Sequence, residues 1–381
     1  MQPLLKWVAL LQVLLHASGQ VSGQTSSSFD FTFLEDRGHL DMVHGARFNP
    51  PEVEGNLPLR TLLQLPEGPK NYDWQKNVID NVKKNNRIVV CGANYGFRSW
   101  IQQWYVSLRR TGVTEIVIIA LDQQVFEWAK EMIGEAHVIH FDLIDDQEVI
   151  GSAHRWRTKS YVQVVSQRAH ILKPIIEMGV DVLYADTDIT WFKNPWDFIP
   201  NLGTSTQCDY YVQQEKSEVI GDYNCSGFMF IRASLLTKLF MKIWEDKIIE
   251  RVKKPGFFTD QEELNFLFEE IYRGHRKGSV EWKDFKACVL PAASFPVGVQ
   301  YYFQKTKAKV QKGKEVKISS DCKLGKECLG FTFSPLAKPD KKWDKNPPVI
   351  VHHNYIKGNI EKVDRAKKFG LWLKLREDEF Q

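Results

Sequence analysis

The sequence predicts an α/β fold, a mostly parallel sheet with helices on both faces and a smaller acceptor-side subregion after it. Two observations carry this. From Arg87 onward, apolar runs of strand length alternate with stretches of helix length, and that alternation builds right-handed crossovers between parallel strands. One run, Val180 to Ala185, is apolar but for Asp181 and leads straight into Asp186-Thr187-Asp188. Open α/β sheets hold their ligands at the carboxyl ends of such strands. With 381 residues, 43% hydrophobic and 12% aromatic, the chain can bury a sizeable core, as one large domain or two smaller ones.

Taken in order, Lys6 precedes the apolar run Trp7–Leu15, and small residues follow (Ala17, Ser18, Gly19, Ser22, Gly23). That is the layout of a secretory signal over residues 1–23. A signal anchor in a Golgi membrane is the alternative, although the run is short of the roughly 20 residues a span needs. Residues 24–71 are rich in Ser, Pro and Gly without periodicity and read as a stem, so the globular domain occupies 72–381. Arg87–Gly92 is a strand entering Asn94-Tyr95-Gly96, and Trp100–Arg110 a helix closed by Gly112. Glu115–Leu121 is a second strand, Val125–Ile133 a helix and Ala136–Phe141 a third strand. Lys159–Met178 is helical with an interruption at Pro174, and it delivers the chain to the strand at Val180. The layout is Rossmann-like, yet no GxGxxG follows the first strand, so the dinucleotide fingerprint is missing.

Beyond the aspartates, Cys208–Gln213 and Ser226–Ile231 read as strands and Ala233–Glu250 as an amphipathic helix. Thr259 caps the next helix, with Glu262 three residues on completing a capping box. Pro347–His353 is a late strand, followed by Asn354–Gly358 and a closing helix to about Leu375. A net charge of +4 gives no support for a nucleic-acid partner, and the lysine-rich Lys305–Lys326 reads as a solvated loop. Six cysteines allow three disulfides in a secreted chain. Cys322 and Cys328 bracket a Gly- and Lys-rich loop and are the readiest pair. Cys208 and Cys225 flank a hairpin-like region, and Cys91 inside a strand reads as a buried thiol.

Alternate side chains share a face along an extended backbone, so Asp186 and Asp188 point together and Thr187 away. Carboxylates that close repel unless a cation lies between them, and hard oxygen ligands suit Mn²⁺ or Mg²⁺. Solvated turn aspartates capping a helix are the bland alternative. A third ligand is on offer from His352 or His353 at the end of the late strand, of which only one can face the metal. Asn224-Cys225-Ser226-Gly227 puts small residues at a strand start, where backbone can approach a substrate or form a bulge. It is also a glycosylation sequon. Asp260 and Gln261 open a helix, as a cap or as site residues.

Three functional classes fit these residues. The first is a metal-dependent nucleotide-sugar transferase, its cation bridging the carboxylates and a diphosphate. The second reads Asp186-Thr-Asp-Ile-Thr190 as a DxDxT phosphatase motif with Asp186 as nucleophile. That reading expects the motif on the first strand, and a second aspartate where Ser226 stands. The third is a carbohydrate-binding protein without turnover, which has no need of both charges.

Residues 180–196, VDVLYADTDITWFKNPW, resemble the core of the nucleotide-diphospho-sugar transferase family. That family includes plant cell-wall xylosyl- and arabinosyltransferases and is similar to the broader GT-A glycosyltransferases. The resemblance runs from about Ile88 to Trp372 and takes in RTKSYVQVVSQRAHILKPIIEMG, SGFMFIR, TDQEELN and VHHNYIKGNIEK. It implies a GT-A sheet whose first half binds the nucleotide and second half the acceptor. It also implies a UDP-sugar donor, a glycan or glycoprotein acceptor, retention of anomeric configuration and a Golgi-lumenal or secreted location. On matched positions, Asp186 and Asp188 are implied to bind Mn²⁺ and the donor diphosphate, with His352 as the C-terminal metal ligand. Lys159, Gly227, Gly358 and Lys362 fall around the donor, and Asp260 and Gln261 beside the transferring sugar. One departure is Cys225, which stands where relatives often carry Asn, with Asn224 offset by one.

Overall fold

The computed structural model describes residues 73–141, 159–199, 208–252, 258–274, 276–277, 282–307, 331–336, 340–356 and 358–374. The expected signal, stem and Cys322–Cys328 pair lie outside the described residues.

Strands and helices alternate as the sequence predicts, through α1 (Asp73–Val82), β1 (Arg87–Ala93), α2 (Arg98–Arg110), β2 (Ile116–Ala120), α3 (Gln123–Ile133), β3 (Val138–His140), α4 (Lys159–Glu177) and β4 (Asp181–Ala185). Pro174 does not interrupt α4. It lies near the end of the helix and gives up its own N–H bond to the His170 carbonyl, but its carbonyl still receives the Met178 N–H. The chain continues through β5 (Ile189–Trp191), β6 (Tyr210–Gln214), β7 (Asn224–Ile231), α5 (Leu235–Val252), α6 (Asp260–Tyr272) and β8 (Ala287–Leu290). Seven of these strands form one sheet in the order β3-β2-β1-β4-β7-β6-β8. Strands β3, β2, β1 and β4 are parallel. β7 alone is reversed, antiparallel to both β4 and β6, and β8 is parallel to β6.

Alternate side chains of the parallel strands enter two different cores, which is why these strands are apolar throughout. Val89, Cys91, Ile116, Ile118 and Leu183 pack with Ile101 and Trp104 of α2 and Val125 of α3. Ile88, Val90, Val117, Ile119 and Val182 pack with Leu172 of α4, Phe240 and Trp244 of α5, and Phe268 of α6. Each such side chain, fully buried, contributes about 2 kcal/mol, so both helical layers are held firmly. Asp122 caps α3 by accepting the Val125 N–H at 2.7 Å, and the Thr259–Glu262 capping box opens α6.

A C-terminal group follows: α7 (Gly298–Tyr302), β9 (Phe303–Lys307), β10 (Phe331–Pro335), α8 (Lys341–Lys345), β11 (Ile350–His352) and α9 (Asn359–Lys368). β9 pairs antiparallel with β10, so Lys305 and Lys307 belong to a strand rather than to the solvated loop the lysine run suggests. β11 pairs antiparallel with β5, with His352 opposite Ile189. A third core of Trp100, Tyr302, Trp343, Val351, Phe369 and Leu371 seals this group. Among the described residues, no helix is long and apolar enough to cross a membrane.

Cys208, just before β6, is bonded to Cys288 of the neighbouring parallel strand β8. The hairpin neighbour Cys225 is a buried free thiol, as is Cys91. Opening the bridge with Cys288→Ser should cost about 4 kcal/mol on the chain-entropy view of a crosslink spanning 80 residues, read as a lower denaturant midpoint. Non-reducing peptide mapping should recover Cys208 joined to Cys288. A map joining Cys208 to Cys225 would refute the pairing.

Candidate active site

β4 ends at Ala185, and the chain turns through Asp186, Thr187 and Asp188 before β5. The Asp186 N–H donates to the Gly227 carbonyl of β7 at 2.7 Å, tying the turn to the sheet. Because β5 begins one residue after Asp188, laying β11 against it brings His352 to the same turn. The His353 N–H then donates to the Asp188 carbonyl at 2.8 Å. One ligand atom from each of Asp186, Asp188 and His352 lies within 4.8 Å of the others, with Asp188 and His352 buried and Asp186 partly open.

Each carboxylate divides its oxygens between two tasks. Asp186 Oδ1 accepts from Arg168 Nη2 and from the Tyr184 hydroxyl, both at 2.9 Å, while Oδ2 stands 3.8 Å from His352 Nε2. Asp188 Oδ2 accepts from Lys362 Nζ at 2.6 Å, while Oδ1 stands 3.4 Å from the same Nε2. The other ring nitrogen, Nδ1, is 2.9 Å from Gln213 Oε1. Gln213 Nε2 donates to the Phe295 carbonyl at 3.0 Å, which turns its oxygen toward the ring. Nδ1 therefore carries a proton, and with the ring neutral Nε2 is a lone pair that could join the two carboxylate oxygens in holding a divalent cation. Burial alone would raise the Asp188 carboxyl, but the charge beside it, that of Lys362 first, holds it well below the usual carboxylate range.

His353 faces elsewhere, as alternation requires. Its ring meets Thr190 Oγ1 at 2.9 Å and the Tyr302 hydroxyl, and burial lowers its pKa to about 3. It is a neutral core residue. Gly227 is where the site tolerates no side chain, because a Cβ would collide with the Asp186 carboxylate and the His352 ring. The pairing of β6 with β7 jumps from Val212–Met229 to Gln213–Cys225, and this bulge frees residues 226–228 from β6.

Arg168 of α4 is the residue sequence reasoning missed. Besides Asp186 it donates to Ser226 Oγ at 2.7 Å and to Asp260 Oδ2. Burial opposes its charge, yet Asp186 and Asp260 hold its pKa well above the ordinary value. Asp260 is raised by burial, with Arg168 opposing. Nothing local marks Arg168 in the sequence; only the fold shows what it meets. Gln261 accepts the Ser226 N–H at 3.2 Å and donates to Glu215 Oε2 at 2.6 Å. Lys362 projects from α9, which Gly358 starts with φ +92°. Lys159 opens α4, but its side chain lies outside the described residues. Asn224 is fully buried, its amide closing the 219–224 turn through Gly221 N–H (2.8 Å) and the Val219 carbonyl (3.2 Å). Its sequon is thus inaccessible in the folded chain.

The sequence matches the nucleotide-diphospho-sugar transferase family over residues 111–366. UDP-D-xylose:L-fucose alpha-1,3-D-xylosyltransferase 3 of Arabidopsis thaliana is 25% identical over 79% of this chain and 71% of its own length. UDP-galactose:fucoside alpha-3-galactosyltransferase of Dictyostelium discoideum is 20% identical over 79% of this chain and 45% of its own. Among solved structures, apo GlyE of Streptococcus pneumoniae aligns with a TM-score of 0.43 at 14% identity, covering 77% of this chain and 61% of its own.

The adjacent histidines should separate by experiment. His352→Ala should weaken Mn²⁺ binding at least about tenfold in a calorimetric titration, since even outer partners of ligands cost that much. His353→Ala should leave Mn²⁺ binding in place and cost about 2–4 kcal/mol of stability, by cavity formation and stranded hydroxyls. A greater loss of Mn²⁺ affinity in His353→Ala would overturn the assignment.

Proposed function

The chain belongs to the nucleotide-diphospho-sugar transferase family, and from that premise we propose that it moves a sugar from a UDP-sugar to a glycan hydroxyl. Asp186, Asp188 and His352 would hold a divalent cation, Mn²⁺ or Mg²⁺. The observation that carries this is the division of labour in the two carboxylates: one oxygen of each is committed to a protein donor, the other is turned toward His352 Nε2. When bound, the cation would neutralise a diphosphate leaving group.

The protein's own groups support the same reading. Lys362, beside Asp188, adds positive charge where a diphosphate would lie. Arg168 fixes Asp186 and Asp260 relative to each other, so the metal side and the α6 side of the site move as one. Asp260 is engaged by Arg168 and buried, and Gln261 is an amide, a poor nucleophile. With neither suited to attack the sugar, transfer through an ion pair on one face, with retention, fits better than a covalent intermediate. A phosphatase motif of this kind is expected on the first strand of its domain, whereas Asp186 follows β4.

The two relatives named above act on L-fucose and on a fucoside, so a fucosylated glycan is the acceptor we propose. A lumenal or secreted location is supported by the Cys208–Cys288 disulfide, which persists in oxidising compartments, together with the Lys6–Gly23 leader pattern. N-terminal sequencing of protein secreted from eukaryotic cells should begin beyond residue 19; cytosolic protein that retains Met1 would refute this.

UDP release from UDP-xylose and UDP-galactose, with methyl α-L-fucoside as acceptor, tests the reaction. Asp188→Asn keeps the shape but removes a charged ligand, and activity should fall by about 100-fold or more. EDTA should abolish it and Mn²⁺ restore it. Turnover indifferent to EDTA would exclude the bridging-metal reading.

A further inference from the structure

A second carboxylate, Glu215, follows β6 directly and has no part in the chemistry above. Gln213, two residues earlier, holds His352, so Glu215 borders the metal centre. Among the described residues its partners are neutral: the Tyr355 hydroxyl on Oε1 and Gln261 Nε2 on Oε2. The adjacent lysine, Lys216, stands 3.7 Å over the Tyr223 ring and reaches the carboxylate only through space. Burial pushes the Glu215 carboxyl above its ordinary range, against both of those hydrogen bonds and the charges of His352 and Lys216. A sequestered carboxylate without a cation on it costs stability, and such groups collect at functional sites.

The two tyrosines beside it carry backbone strain. Tyr223 has φ 62° and Tyr355 φ 63°, the left-handed region that bulky residues rarely adopt, at a cost of about 1–3 kcal/mol each. Neither turn relaxes. Asn224 staples the turn holding Tyr223, and Gly221 packs so closely on α6 that a Cβ would come within 2.9 Å of the Glu269 nitrogen. On the other side, Asn354 Oδ1 accepts the Gly298 N–H at 2.7 Å. This clamped corner leaves Tyr223 44% and Val219 49% exposed.

Resting on the transferase reading, we propose that Glu215, Tyr355 and Tyr223 form the acceptor subsite, and that it takes a neutral glycoside. A sugar ring offers hydroxyls on its edge and an apolar C–H face. Glu215 accepts a hydrogen bond from the hydroxyl edge, and the exposed ring of Tyr223 covers the C–H face, whose slight positive charge suits an aromatic π-surface. Tyr355 holds the carboxylate in place. Gln261 joins this corner to Ser226, and Ser226 to Arg168 and Asp186, so acceptor and donor ends share one hydrogen-bonded chain. An acidic sugar would meet Glu215 as a like charge and be rejected.

The test uses the full chain with Mn²⁺ and UDP, and reads binding rather than turnover. Saturation-transfer NMR is run with methyl α-L-fucoside, methyl β-D-galactoside, methyl α-D-mannoside and, as the acidic probe, methyl β-D-glucuronide. Wild type should bind at least one neutral glycoside and not the glucuronide. Glu215→Ala and Tyr223→Ala should weaken that binding about tenfold or more, a loss of about 1.4 kcal/mol. Tyr223→Phe should keep it, since the ring and not the hydroxyl makes the contact, and it shows that the turn still folds. UDP–Mn²⁺ affinity, titrated separately, should stay within about twofold in all three variants. The subsite is overturned if no neutral glycoside binds, if both alanine variants bind normally, or if Glu215→Ala weakens UDP–Mn²⁺ as much as the glycoside. A wild-type chain that binds no UDP with Mn²⁺ fails the transferase reading itself, and this subsite with it.

Discussion

His352 held against two carboxylates is the constraint around which this molecule is arranged. Its Nε2 lies 3.4 Å from Asp188 and 3.8 Å from Asp186, and with Nδ1–H given to Gln213 a neutral ring meets them with a lone pair. The surroundings limit the damage. Lys362, Arg168 and Tyr184 each take an outer oxygen, which spreads the negative charge away from the centre. What remains is a cluster of inner oxygens around one ring nitrogen, an arrangement that suits a cation.

The fold meets this constraint by joining segments far apart in sequence. The 186–188 turn belongs to the parallel half of the sheet, and His352 to a strand more than 160 residues later, yet one three-residue pairing of β5 with β11 sets their register. That pairing is short, so its position depends on the aromatic core of Trp100, Tyr302, Trp343 and Phe369 behind it. His353 is a further tie: its ring bridges Thr190 of β5 and Tyr302 of α7, so the residue beside the ligand holds the ligand's strand in place. The β7 bulge and Gly227 supply the remaining clearance. A regular β7, or any side chain at 227, would displace Asp186 or His352.

Much of this was legible in the sequence, and the reasons are local. Parallel strands buried on both faces are apolar throughout, so β1, β2 and β4 were readable from composition, as was the Asp pair at the end of β4. Alternation along a strand correctly separated His352 from His353. Features that depend on tertiary contact were not readable. Arg168 looks like any other helical arginine until α4 is packed against the sheet. Cys208 pairs across two strands that are neighbours only because β8 returns beside β6, a partner that sequence spacing does not mark. Pro174 falls near the end of α4, where its carbonyl still accepts the Met178 N–H, so a breaker in sequence leaves the helix whole. Lys305 and Lys307 were read by charge, yet the aromatic Phe303 and Phe331 at the ends of β9 and β10 mark the hairpin better.

Arg168 shows why the β4 and α6 sides of the site cannot be separated energetically. A guanidinium buried among Asp186, Asp260 and Ser226 has lost its hydration, and only the two carboxylates return that free energy. Its planar fork can satisfy partners in different directions from one fixed position, which a lysine cannot do. Asp186 is therefore shared between the cation centre and Arg168, and Asp260 between Arg168 and the start of α6. Gln261, the next residue on α6, joins Ser226 of β7 to Glu215 after β6. One helix start therefore positions groups on both sides of the site, with no hinge or moving domain required.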